Sequence, residues 1–185
     1  MKNIKKASIF LLFICLFSSC IQKLDFEQIE DLDIEPVFTS SMVHFTLNQI
    51  AFFDRINSLE IVAPIKKDSK FLSLNSTFVR ENLIKMQVDF EINNQFDRDF
   101  SVVFQFLDDN DAITHSFQTF NIGANNLKFL HREEIIVKNN QLFLSSTKIR
   151  VLVQLTPSTN GSVIDPTVER NLVFKTAGTF FLKIE

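Results

Sequence analysis

Tyrosine and tryptophan are absent from this chain, although it holds 22 phenylalanines. Surfaces that grip sugars lean on the amphipathic rings of Tyr and Trp, so the composition speaks against a glycan-binding face. Phenylalanine has no polar handle and belongs in a core. Glycine and proline are also scarce, three and four residues, which excludes a low-complexity or disordered chain. Gly123 and Gly161 stand alone, so no glycine-rich phosphate cradle exists. There is no Gly-x-Ser-x-Gly elbow, and three glycines leave few tight turns for an oxyanion hole.

Chemistry-bearing side chains are equally sparse. The three histidines, His44, His115 and His131, share no ligand spacing, so neither a metal nor a catalytic set is expected. His44 falls on the polar side of a strand pattern. His115 lies between Ile113 and Phe117 and reads as partly buried; His131 precedes Arg132-Glu133-Glu134 and reads as surface. Asp108-Asp109-Asn110-Asp111 lacks the glycine and distal glutamate of an EF-hand and reads as a plain turn, since Asp and Asn favour turns. Asn75-Ser76-Thr77 and Asn160-Gly161-Ser162 match the N-glycosylation pattern by chance. No cofactor is implied.

What is present begins at the N-terminus. Lys2, Lys5 and Lys6 form a positive head, and residues 9–17 (IFLLFICLF) carry no polar group. As a helix that run is roughly 14 Å long at about 1.5 Å per residue, too short for a bilayer core of about 30 Å. A charged head, a short apolar run and small residues make a secretory signal. The run ends Leu16-Phe17-Ser18-Ser19-Cys20. This resembles the lipobox of bacterial lipoproteins: an apolar residue, two small residues, then cysteine, with Phe17 where the pattern more often has Leu. The resemblance covers only the first 20 residues. It implies cleavage before Cys20, a diacylglycerol on its sulfur, and usually an acyl group on its amine.

The cysteines agree with this reading. Cys15 lies in the leader, so a chain beginning at Cys20 has no second cysteine for an internal disulfide. Its domain must be stable through its core. The expected organisation is a signal peptide over residues 1–19, a lipidated cysteine and acidic tether over 20–35, and one domain over 36–185. The tether, 21–35, spans roughly 50 Å when extended at about 3.5 Å per residue. It carries six acids against Lys23, and its interleaved Leu24, Phe26, Ile29, Leu32 and Ile34 suggest that its second half docks on the domain. An acidic stretch after the cysteine resembles surface-exported lipoproteins of Bacteroidetes, although here the acids begin only at Asp25. Loss of the leader takes the net charge from −3 to −6. A negative chain without a basic block is a poor nucleic-acid partner and is repelled by anionic lipid, so lipid on Cys20 is the expected membrane link.

Beyond residue 36 the hydrophobic period is two. Met86, Val88, Phe90 and Ile92 alternate with Gln87, Asp89, Glu91 and Asn93; Val43, Phe45 and Leu47 alternate likewise, as do Ile149, Val151, Val153 and Leu155. Residues 100–107 (FSVVFQFL) are apolar enough for a central strand. Residues 112–122 return from the aspartate turn as the second arm of a hairpin, and 128–137 form another strand. Residues 156–166 are a loop. Residues 172–175 and 180–185 are expected as a closing hairpin about Ala177-Gly178. Stretches 47–56 and 139–146 could be helical. The expectation is all-β: an antiparallel β-sandwich, immunoglobulin-like only in the generic sense, of seven to nine strands, with a closed barrel as runner-up.

The expected function is that of a non-catalytic structural or interaction subunit of the cell envelope. It would be anchored at the outer membrane, facing the periplasm or the exterior, and held to an envelope protein. A ligand-binding or adhesion module using sandwich-end loops is the alternative; an envelope hydrolase is least favoured.

Overall fold

A computed structural model describes residues 34–57, 59–158, 161 and 163–184. The leader, Cys20 and the tether up to residue 33 lie outside the described residues, as do Asn160 and Ser162 of the second glycosylation pattern.

The chain is an antiparallel β-sandwich. One sheet has the order β1 (Val37–Asn48), β11 (Asn171–Leu182), β5 (Leu83–Asn94), β9 (Phe129–Ile136). The other has the order β4 (Ile65–Lys70), β10 (Lys148–Leu155), β6 (Phe100–Leu107), with β7 (Ile113–Ser116) and β8 (Phe120–Ile122) sharing the far side of β6. Two-residue strands β2 (Phe53–Asp54) and β3 (Leu59–Glu60) form a small third sheet. Among the described residues this gives eleven strands, with β7 and β8 acting as one. Among β1, β4, β5, β6, β7–β8, β9 and β10, every one but β6 hands the chain to the opposite sheet, and β6 hands it to its own neighbours β7 and β8. The first and last long strands pair side by side, which is a jelly-roll layout.

The period-two stripes decide which faces meet. Met86, Val88, Phe90 and Ile92 of β5 are buried, as are Phe100, Val102, Phe104 and Phe106 of β6. Across the two sheets Phe90 and Phe104 meet edge-to-face at 5.2 Å. Among the described residues twelve phenylalanines are buried, as expected of rings without a polar handle. They form three groups along the sandwich. Phe52, Phe96 and Phe100 close one end. Phe90, Phe104, Phe117, Phe120 and Phe174 fill the middle. Phe71, Phe106, Phe143 and Phe180 close the other end.

Three local expectations are corrected. The closing hairpin does not exist: β11 runs unbroken through Ala177 and Gly178. Gly178 is there for close approach, since a Cβ would stand 2.5 Å from Met86 Cε and 2.9 Å from Met42 Sδ. The two helical candidates, 47–56 and 139–146, are helical only in part: they hold the short 3-10 helices Gln49–Phe52 and Gln141–Ser145, the latter preceded by Val137–Asn139, which turn Phe52 and Phe143 into the core. The strand expected over 112–122 is broken into β7 and β8: Ser116 pairs with Gln105 and Phe120 with Val102, so three residues, 117–119, stand opposite only Val103 and Phe104 and the regular ladder is interrupted there. One helix went unforeseen, α1 (Thr77–Asn82), capped by the Ser76 hydroxyl accepting from the Val79 N–H at 3.4 Å.

Candidate functional site

The outward residues of the β1-β11-β5-β9 sheet form rows set by register. Ser41 lies beside Ala177, Ala177 beside Asp89, and Asp89 beside Arg132. In the next row His44, Lys175, Glu91 and Leu130 follow one another. Ser41 and Ala177 are small, while their neighbours on β5 and β9 are long. The face therefore sinks into an open groove of about 620 Å³, lined among others by Ser41, Asp89, Glu91, Leu130, Arg132 and Lys175.

The charges in this groove are matched in sign. Arg132 Nε donates to Asp89 Oδ1 at 2.5 Å, and Lys175 Nζ to Glu91 Oε1 at 3.0 Å. Beyond them Lys85 Nζ and Gln87 Nε2 both donate to Glu134 Oε1, at 3.3 and 3.2 Å. The hydrogen bond that Arg132 donates to Asp89 lifts its guanidinium above the ordinary range. Leu130 stands exposed among these pairs. Such a surface can receive an extended segment carrying both polar and apolar side chains. Its carboxylates are each engaged with a cation, so neither is poised as a free base.

Sequence reasoning missed this groove. Its members come from four strands far apart in the chain, and only long-range register brings them together. The available signal was the pair of small outward residues, Ser41 and Ala177, in otherwise bulky alternations.

Of the three histidines, His131 contributes to the groove lining and His44 to the row beside Lys175, while His115 lies in the other sheet. His44 is exposed on the outer face of β1. His115 is half-buried against Phe117, with ring centroids 4.9 Å apart. Burial lowers its proton affinity, opposed by a hydrogen bond with Asn140 and by the charge of Glu133. His131 corrects the surface reading: it faces inward on β9, half-buried, with its ring 4.8 Å from Phe120. Its Nε2 lies 2.8 Å from Glu133 Oε1. The run His131-Arg132-Glu133-Glu134 looked like surface because β9 is an edge strand and two of its inward positions, His131 and Glu133, are polar. Glu133 thus relates two of the three histidines, while His44 sits on the opposite edge of that sheet. Among the described residues no three His, Cys, Asp or Glu side chains are grouped so as to hold a metal ion.

Asp108 is used by its own turn: Oδ1 accepts from the N–H groups of Asn110 and Ala112 at 2.8 and 2.9 Å. Asp111, at φ 64°, receives Lys148 Nζ at 3.0 Å. Two described residues of the loop over 156–166, Thr156 and Ile164, are held from the sandwich. Arg98, 4% exposed, pairs with Glu60 at 2.5 Å and donates to the Thr156 carbonyl at 2.9 Å. The same Glu60 oxygen accepts the Ile164 N–H at 2.6 Å. Among the described residues no helix is long and apolar enough to cross a membrane.

No protein-family model matches the chain, and no curated protein matches it. Among solved structures it is similar to a protein of Parabacteroides distasonis inferred to be secreted, at TM-score 0.47 and 14% identity, over 63% of this chain and 38% of that one. It is similar to the VP2 subviral particle of infectious bursal disease virus, at TM-score 0.38 and 8% identity, over 82% and 33%. It is also similar to tailspike protein 4 of bacteriophage CBA120, at 0.37 and 12%, over 81% and 19%. The chain spans less than half the length of each. At these scores no activity carries across.

Proposed function

We propose that this chain is a lipid-anchored lipoprotein of the cell envelope, placed at the outer membrane, whose sandwich serves as a non-catalytic interaction subunit. The observation that carries the interaction reading is the open groove, in which Asp89 is matched to Arg132 and Glu91 to Lys175. Exposed pairs of this kind contribute little stability, about 0–1 kcal/mol each, so a partner can reorganise them at small cost. The address rests on the lysine head, the apolar run and Ser18-Ser19-Cys20. One acyl chain binds marginally and two hold stably, at about 0.8 kcal/mol per buried CH₂. The loop over 156–166 is a weaker candidate for ligand capture, because Arg98 and Glu60 already engage the backbone of Thr156 and Ile164.

Two measurements test this. Mass spectrometry of the mature N-terminal peptide should find it beginning at Cys20 and carrying lipid, whereas Cys20→Ser should remain an unlipidated precursor. A wild-type chain that begins elsewhere without lipid would remove the address. Crosslinking in intact cells should capture an envelope protein, and Ala177→Arg, which fills the groove floor, should abolish that capture. Undiminished capture by Ala177→Arg would remove the groove from the interaction.

A further inference from the structure

The edges of the two sheets are treated very differently by the sequence. An open edge exposes a row of N–H and C=O groups and invites another strand, and proteins blunt it with charge, brevity or bulges. Edge strand β4 carries Lys66, Lys67, Asp68 and Lys70. Edge strand β9 carries Arg132, Glu133 and Glu134. The remaining edge is divided between β7 and β8, of four and three residues. By contrast β1 runs for 12 residues, VFTSSMVHFTLN, without a single Lys, Arg, Asp or Glu. It pairs with β11 on one side and, among the described residues, with no strand on the other.

Its one protective device is a bulge between Ser41 and Val43. That bulge leaves a regular run from Val43 to Asn48, roughly 20 Å long at about 3.4 Å per residue. Along this run Val43, Phe45 and Leu47 face the core and His44, Thr46 and Asn48 face out. Phe45 lies over Phe174, with ring centroids 5.0 Å apart, yet stays half-buried, and among the described residues no strand pairs with β1 on that open side.

We infer that the Val43–Asn48 run of β1 pairs antiparallel with the same run of a second copy of this chain, across a twofold axis at Phe45. An uncharged, β-prone edge calls for a partner strand of the same kind, and in this chain the other long edges are charged. Identical patches that match under a twofold are the ordinary geometry of a homodimer. With Phe45 opposite Phe45 of the second copy, Val43 meets Leu47 and His44 meets Thr46. Core-facing residues then meet core-facing residues, and the open side of Phe45 is covered. The two four-stranded sheets become one sheet of eight strands, with both grooves on its outer face. This inference is independent of Cys20 and of what the groove binds.

Cysteine crosslinking of the full chain in cells tests it. Two differently tagged copies are coexpressed, one His44→Cys and one Thr46→Cys, with Thr39→Cys in both copies as the comparison outside the paired run. Opposed strand positions lie within disulfide reach. The expected result is a mixed-tag disulfide at least ten times more abundant than with Thr39→Cys. Crosslinking no greater than that comparison, or crosslinking chiefly to a different protein, would overturn the pairing. Adding Thr46→Lys to the His44→Cys copy, so that a lysine lies in the paired run, should remove the mixed-tag product while far-UV circular dichroism stays unchanged. Persistence of the product in that folded variant would also overturn it.

Discussion

Single side chains of this protein divide into those that fill space and those that hold charge out of water. Phe90 is 2% exposed and touches Phe104, Phe117, Phe120 and Phe174, so it joins both sheets. Phe→Ala at such a site costs about 3–5 kcal/mol, a large share of the ~5–15 kcal/mol that holds a domain together. Phe90→Ala and Phe104→Ala should each lower the denaturant midpoint accordingly; unchanged midpoints would mean that these rings are not the contact between sheets. Arg98 presents the opposite problem. Its guanidinium is buried and answered by Glu60 and the Thr156 carbonyl. Removing one member of a buried ion pair is costly, about 3–5 kcal/mol, because the other charge is left stranded. Glu60→Ala should therefore destabilise strongly and loosen the loop over 156–166, whereas a double variant Glu60→Ala/Arg98→Met should recover part of the loss. Urea unfolding of the three chains measures this, and a double variant no better than the single would deny that the stranded charge is the cause.

At the scale of elements, the sequence was clearest where neighbours along the chain suffice. The alternation of β5, and the apolar run of β6, are local patterns, and both strands lie as expected. The groove was hidden because Ser41, Ala177, Asp89 and Arg132 become neighbours only through three separate registers. The break expected at Ala177-Gly178 failed for a related reason. Glycine in a pattern suggests a turn, but here it makes room for side chains from two other strands, Met42 and Met86. Strand β4 was overlooked because Lys66, Lys67, Asp68 and Lys70 show no hydrophobic period, being the charged guard of an edge. Gly178→Ala tests the packing account of β11. The new methyl meets the ends of two flexible side chains, so the cost should fall at the low end of overpacking, about 1 kcal/mol. Combined with Met86→Val it should cost less than the two changes summed, since shortening Met86 clears the methyl. Strict additivity would place the strain elsewhere.

The whole molecule's response to acid follows from where its titrating groups lie. Four aspartates have lowered proton affinity: Asp68 through its hydrogen bond from Arg150, Asp111 through Lys148, Asp54 through Asn57 and the Ile56 N–H, and Asp165 through Thr167. Their contribution is complete above the ordinary value of 3.8 and is lost as pH falls through their folded values. His115 acts earlier. Burial holds its folded proton affinity below the ordinary value of 6.5, with Asn140 and Glu133 opposing. Between the folded and unfolded values the unfolded chain binds more protons, so stability rises with pH there. The His115 contribution is therefore complete above about 6.5 and is lost as pH falls through the folded value. Urea midpoints taken from pH 8 to pH 3 should fall in two stages, the first beginning near pH 6.5 and the second below about pH 4. His115→Gln cannot titrate in this range and should lose the first stage while keeping the second. If the first stage survives that substitution unchanged, the half-buried imidazole between Phe117 and Phe143 is not the group that senses mild acid.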